Sequence, residues 1–400
     1  MKGNILKIYL VGGAVRDKFL NLPITERDWL VLDANEKIMK KLGFQKVGKD
    51  FPVFLHPKSQ EEYALARVEK KSGKRHNNFN CSTKKISLQE DLKRRDLTIN
   101  AIAMDKYENI FDPFNGIRDI KMKIIRHISN AFIEDPLRIL RVARFYAKLF
   151  HLNFTIDMST FKLIKSMSHE LCYISSERIW KETEKALNTK NPQIYFYTLK
   201  ECGAMKVVFP EIYNLFGIKY KKKNSNLGNR MLNILKIISR ISKDIQLRFS
   251  AVVYQFFLIS KEKEKYIEKF CKKKKIPNSF MKLAKIISKY HFILLYPEKY
   301  SIEKILKIFQ KINVWKEPEN LEKIIAFNQA KEFKKKNKNF WKQRKLFLRK
   351  LYKATKYISI TSIIQKGFRG KNIGIQINKK RIRIAKKFKK NHLHSILKYK

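Results

Sequence analysis

Glu26 and Asp28, in Glu26-Arg27-Asp28, stand one residue apart directly before the apolar run Trp29-Leu30-Val31-Leu32. On an extended backbone side chains alternate with period two, so both carboxylates point the same way. Two carboxylates so placed can share a pair of magnesium ions holding a nucleoside triphosphate. A solvated acidic edge is the plain alternative. One short helical stretch upstream, Leu10-Val11-Gly12-Gly13-Ala14-Val15-Arg16-Asp17 reads as a β-rich run ending in two glycines at a helix start. Backbone N–H groups there can approach a phosphate closely, and Arg16 adds a forked cationic donor. Alone, such a glycine pair more often marks an ordinary strand–turn–helix with a surface arginine.

Two further segments carry the same kind of chemistry. In Arg94-Arg95-Asp96-Leu97-Thr98-Ile99-Asn100 the basic side chains suit triphosphate oxygens, and a carboxylate or amide suits a ribose hydroxyl. A capped helix start with charged flanks fits that segment equally well. In Glu134-Asp135-Pro136-Leu137-Arg138-Ile139-Leu140-Arg141-Val142-Ala143-Arg144, Asp135 is placed to cap a helix that Pro136 opens. Arg138, Arg141 and Arg144 then recur every three residues along one stripe. With Leu137, Leu140, Ala143 and Phe145 burying part of that helix, three arginines without acidic partners imply an anion beside them.

Positioning these groups requires an α/β frame. Residues 8–11, 29–32, 51–55 and 62–68 are strand candidates, and 14–20 and 35–42 are helical. From Pro136 onward glycine becomes scarce and apolar residues recur at three- and four-residue spacing. Ile179, Thr183, Ala186 and Leu187 form one such face. The expected architecture is an α/β head followed by an elongated all-α body, without an internal repeat of fixed period.

The 400 residues carry a formal charge of +54, and residues 331–400 hold 25 Lys+Arg against 1 Asp+Glu. Such a surface repels itself unless a polyanion is near, which makes nucleic acid the expected partner and an anionic membrane surface the weaker one. Heavy use of Lys, Ile and Asn is also the pattern of AT-rich coding. Cys81, Cys172, Cys202 and Cys271 are too scattered for a zinc site or a disulfide framework, which fits a reducing, cytoplasmic location. No leader pattern is evident. The longest apolar stretch, residues 247–259, is broken by Arg248, Ser250 and Gln255, so no spanning helix is expected and the chain reads as soluble.

Taken in order, these elements resemble the bacterial tRNA CCA-adding enzymes, members of the polymerase-β-like nucleotidyltransferase superfamily that share their head with bacterial poly(A) polymerases. The likeness spans residues 9–217. It includes Asp50-Phe51-Pro52-Val53-Phe54-Leu55-His56-Pro57, Glu61-Glu62-Tyr63-Ala64-Leu65-Ala66-Arg67, Asp91-Leu92-Lys93-Arg94-Arg95-Asp96 and Glu177-Arg178-Ile179-Trp180-Lys181-Glu182. The first two blocks resemble the CCA-adding branch rather than the poly(A) branch. The resemblance implies that Gly13, Arg16, Arg95, Arg141 and Arg144 bind CTP or ATP. It implies that Glu26 and Asp28 hold Mg2+ and serve catalysis, that Asp96 senses the ribose, and that Glu69 is a supporting acid. Asp135 and Arg138 would read the incoming base in place of a template.

Two departures accompany it. The family pattern has Asp-x-Asp where this chain has Glu26-Arg27-Asp28, one methylene longer. Many relatives carry a metal-dependent phosphohydrolase module in the body, where this chain reads Tyr254-Gln255 in place of His-Asp, with no histidine between His169 and His291. The implied organisation is a nucleotidyltransferase head over 1–120, a helical neck with base-reading and nucleotide-binding residues over 121–215, and a basic tRNA-binding body over 216–400 with a degenerate hydrolase module. A poly(A) polymerase and a non-catalytic RNA-binding relative are the alternatives. Oligomeric state stays open.

Overall fold

A computed structural model of the chain describes residues 6–47, 53–71, 79–82, 86–220, 225–333 and 337–397, the side chains of 68–71, 79–82 and 393–397 excepted. Phe51, Pro52 and the Glu69 side chain therefore lie outside the described residues. The chain divides into two compact units, residues 1–213 and 214–400.

The first unit opens with strand β1 (Lys7–Val11), helix α1 (Gly13–Phe19), β2 (Asp28–Leu32), α2 (Glu36–Lys41), β3 (Gln45–Val47), β4 (Val53–Leu55) and β5 (Glu62–Leu65). A separate hairpin follows, β6 (Val68–Lys71) with β7 (Phe79–Ser82). Next come α3 (Leu88–Lys93), β8 (Ala103–Met104), β9 (Ile110–Phe111) and α4 (Gly116–Met122). The main sheet has seven strands in the order β3-β4-β5-β2-β1-β8-β9. β2 is central, parallel to β5 and antiparallel to β1. Its alternation explains why: Leu30 and Leu32 join Val11, Leu92, Ala101 and Ala103 on one face, while Val31 joins Met39, Phe54 and Leu65 on the other. The expected strand over 62–68 stops at Leu65, and Val68 starts the hairpin instead.

Helices then take over, as expected: α5 (Leu137–Leu149), α6 (Met158–Ser166), α7 (Ser176–Leu187) and α8 (Pro192–Glu201). A small parallel pair, Ile124–Ile125 with Thr155–Ile156, interrupts them. α5 buries Ile139, Leu140, Val142, Ala143, Phe145, Ala147 and Leu149, and α7 buries Ile179, Trp180, Thr183, Ala186 and Leu187.

The second unit is helical throughout its described residues. Leu227–Ile241, Ile245–Val253, Asn278–Leu295 and Glu319–Lys331 pack on one another around a polar centre. There His291 donates through Nδ1 to the Ile287 carbonyl at 3.0 Å and accepts the Lys331 ammonium on Nε2 at 2.8 Å. Burial, then the Lys331 charge, pushes the His291 imidazole down to about 3, so it stays neutral. Tyr254, 2% exposed, packs edge-on against both His291 and Phe327. The Lys331 ammonium thus takes up the free lone pair of the neutral imidazole. The last helix, Lys371–Leu397, exposes Lys379, Arg383, Lys387 and Lys390 at helical spacing along one stripe. Among the described residues no helix is long and apolar enough to cross a membrane.

Candidate active site

The register of β1 against β2 pairs Val11 with Asp28. That pairing sets the glycine turn and the acidic pair side by side at one end of the sheet. Gly12 takes φ +71°, a conformation that favours glycine, and a Cβ there would crowd Arg95 Nη1 at 3.2 Å. Gly13 begins α1. Glu26, Arg27 and Asp28 are exposed. The charges that bear on Asp28 are Arg95, Glu26, Lys185 and Arg141. Loss of solvent, and then the Glu26 carboxylate, raises the Asp28 carboxyl above its ordinary range, against the pull of Arg95. A like-charged carboxylate pair held in this way suits a divalent cation, which would relieve the repulsion with hard oxygen ligands. Glu26 and Asp28 are the residues that fit one.

Beneath the turn runs a continuous polar chain. Arg16 is 1% exposed, which corrects the surface-arginine alternative. Its Nε and Nη2 donate to Asp17 Oδ1 at 2.9 and 2.8 Å, and its Nη1 donates to Asn100 Oδ1 at 2.5 Å. Asn100 Nδ2 in turn donates to Asp96 Oδ1 at 3.0 Å, and Arg141 Nε donates to Asp96 Oδ2 at 2.7 Å. Lys148 closes the far end on Asp17 at 2.9 Å. Asp96, 5% exposed, also accepts the Leu97 N–H at 2.9 Å. Burial alone would raise the Asp96 carboxyl, but Arg141, Asn100 and Arg138 outweigh it and hold it far below the carboxylate range.

Arg95 is oriented by Asp91, a fully buried carboxylate that accepts its Nη2 at 3.2 Å and also holds Arg94. The Arg95 Nε is buried with no hydrogen-bond partner. The Nη1 of the same guanidinium stands against the Gly12 turn, where a forked cation suits an anion's oxygens.

The expectation that the arginines of α5 run uncompensated is corrected. Arg141 pairs with Asp96 and stands 3.8 Å from Glu182, and Arg144 Nε donates to Glu182 Oε2 at 2.6 Å. Arg16, Arg141 and Arg144 also surround the Phe145 ring at 5.1, 5.6 and 4.1 Å. Among the described residues Arg138 pairs with no carboxylate; it donates to the carbonyls of Arg94 and Ala131 at 2.5 and 2.9 Å. Repulsion is relieved by acids that lie far off in sequence, so the stripe alone does not demand a ligand. The expected cap shifts by one residue: Pro136 is the N-cap of α5 and has no side chain to cap with, while Asp135, one residue earlier, accepts the Leu137 N–H at 3.1 Å. Its other oxygen accepts Arg178 at 2.8 Å.

All ten expected residues therefore fall in one unit, around the glycine turn, the start of β2 and the inner face of α5. Sequence reading did not single out Asp17, Asp91, Asn100, Lys148, Arg178 and Glu182 as part of the site. Local spacing carried a signal for some: Asp91 precedes Arg95 by one turn, and Lys148 follows Arg144 by one.

Comparison with known proteins identifies the family. Residues 8–126 match the family described as "Poly A polymerase head domain", and residues 153–215 match "Probable RNA and SrmB- binding site of polymerase A". The CCA-adding enzyme of Blochmanniella floridana is 44% identical over 97% of this chain and 99% of its own length. That of Blochmanniella pennsylvanica (strain BPEN) is 41% identical over 96% and 99%. A solved CCA-adding enzyme in its apo form II superposes with TM-score 0.64 at 23% identity, covering 98% of this chain and 92% of that one. Full-length likeness at this identity separates the chain from relatives that share only the head, and it places the chain in the family of CCA-adding enzymes.

Proposed function

We propose that this chain builds and repairs the 3′-terminal CCA of tRNA from CTP and ATP without a nucleic-acid template. The observation that carries the reading is the exposed Glu26–Asp28 pair beside the Gly12-Gly13 turn, against which the Arg95 guanidinium stands. The tRNA 3′-hydroxyl oxygen bonds to the α-phosphorus, the bridge to the β-phosphate breaks, and pyrophosphate leaves. Glu26 and Asp28 would hold Mg2+, which supplies Lewis-acid activation of the reacting oxygens when bound. Arg95, Arg141 and Arg144 orient the triphosphate against the Gly13 backbone, and buried Arg16 adds positive charge beneath it. Asp96 reaches the ribose hydroxyl with its remaining lone pair. The head spans 1–120, the base-reading neck 121–215 and the tRNA-holding body 216–400. In that body the stripe of Lys379, Arg383, Lys387 and Lys390 suits a phosphate backbone held by shape and charge.

Base choice falls to Asp135 and Arg138. A carboxylate accepts from the exocyclic amino group that cytosine and adenine share, and a guanidinium donates to their ring acceptors. With both Nη atoms donating to backbone carbonyls, Arg138 has its Nε–H to offer a base. Measured on tRNA lacking its 3′ end, kcat/KM for all four triphosphates tests this. Asp135→Ala and Arg138→Ala should relax discrimination against UTP and GTP by roughly 1–3 kcal/mol. Arg144→Ala should weaken all four alike, because a phosphate contact carries no base information. An unchanged selectivity ratio in the first two variants would remove base reading from this helix and reduce Asp135 to a cap.

The body should hydrolyse nothing. Tyr254 and Gln255 stand where a His-Asp ligand pair is implied, and Lys331 occupies the only described histidine nearby. We expect no phosphatase or 2′,3′-cyclic phosphodiesterase activity, with or without added nickel or magnesium. Hydrolysis surviving loss of the head carboxylates would refute this.

A further inference from the structure

Asp135 and Arg138 are oppositely charged and three residues apart, Asp135 in extended backbone just before α5 and Arg138 in its first turn. Yet no ion pair joins them among the described residues. The Arg138 Nη end is drawn to the carbonyls of Arg94 and Ala131, and Asp135 is drawn to Arg178, 43 residues away on α7. Asp135 is thus held at both oxygens, Oδ1 by the Leu137 N–H and Oδ2 by Arg178 Nη2. The cap alone leaves the carboxylate plane able to turn about its last, broad torsion. The second anchor stands on a fixed element. One turn after Arg178, buried Glu182 ties α7 to Arg144 at 2.6 Å, and Ile179, Trp180 and Thr183 are buried beside it. The side chains of Arg178 and Asp135 keep 34% and 21% exposure, so the pair lies where a ligand can reach it.

We infer that Arg178 is a specificity-positioning residue: it holds the Asp135 carboxylate apart from Arg138, so that both stay turned toward the incoming base. Removing it releases Asp135 to fold onto Arg138. The two readers then satisfy each other and stop rejecting a base that presents a carbonyl where the amino group should be. The inference rests on the reading of Asp135 and Arg138 as base readers.

The test measures kcat/KM for CTP, ATP, UTP and GTP in the full chain, on tRNA lacking its 3′ end, for Arg178→Ala, Arg178→Lys and Asp135→Ala. Arg178→Ala should lower the CTP-to-UTP and ATP-to-GTP ratios by roughly tenfold, the scale of one well-oriented base contact. Arg178→Lys keeps the charge without the fork and should give an intermediate ratio; it decides the matter if the alanine variant fails to fold. If Arg178→Ala lowers all four nucleotides equally while Asp135→Ala changes the ratios, Arg178 is merely structural and the inference falls with base reading intact. If neither variant changes the ratios, base reading itself fails and takes the inference with it.

Discussion

Replacing Asp28 with alanine should abolish nucleotide transfer while leaving tRNA affinity within about twofold, a loss of roughly a thousandfold or more in kcat. The carboxylate opens β2 and pairs with Val11 through its backbone alone, so alanine keeps the strand. What disappears is half of the acidic pair that suits a metal ion. Stability should move the other way. The Asp28 carboxyl is raised by solvent loss and by Glu26, which means its charged form opposes folding at neutral pH. The variant should therefore melt at the same temperature as the wild type or slightly above it, the pattern expected where function is bought with stability. Glu26→Asp, which shortens the other ligand by a methylene, should retain activity. Single-turnover incorporation, tRNA binding and thermal melting check the set, and full transfer by Asp28→Ala would overturn the assignment.

Asp96→Asn should be the most destabilising conservative change in the site. The amide keeps the size but loses the charge, and it cannot accept from Arg141 Nε, Asn100 Nδ2 and the Leu97 N–H together, as the carboxylate does. Breaking a buried pair by removing one partner costs about 3–5 kcal/mol. The lower end applies, because the Arg141 side chain keeps 34% exposure and Glu182 stands 3.8 Å away. All four triphosphates should lose kcat/KM together, since Arg141 loses its orientation. The sign with pH follows from the depressed Asp96 carboxyl: its contribution is complete above about pH 4, the unfolded value, and is lost as pH falls toward the folded one. The stability gap between wild type and Asp96→Asn should thus stay constant from pH 6 to 8 and narrow in acid. A gap that widens in acid would show that the carboxylate is not the stabilising form.

Several site features were legible in the sequence because they depend on neighbours within one turn or one strand. The closely spaced carboxylates of Glu26 and Asp28, the glycine turn before α1, the helix start at Pro136 and the arginine stripe all depend on local spacing. The change from α/β to helix near Pro136 was legible as well. Tertiary structure decided which charge answers which. Arg141 finds Asp96 and Arg144 finds Glu182 at separations of 45 and 38 residues. Arg16 disappears under the turn because Asp17 and Asn100 satisfy it there. Coulomb attraction and hydrogen bonding act through space, and the sheet order and helix packing that bring distant acids to these arginines have no periodic trace in the chain. The sequence by itself determined the groups that can do chemistry; only the fold determined that Arg141 and Arg144 are paired with distant acids and that Arg95 stands against the glycine turn.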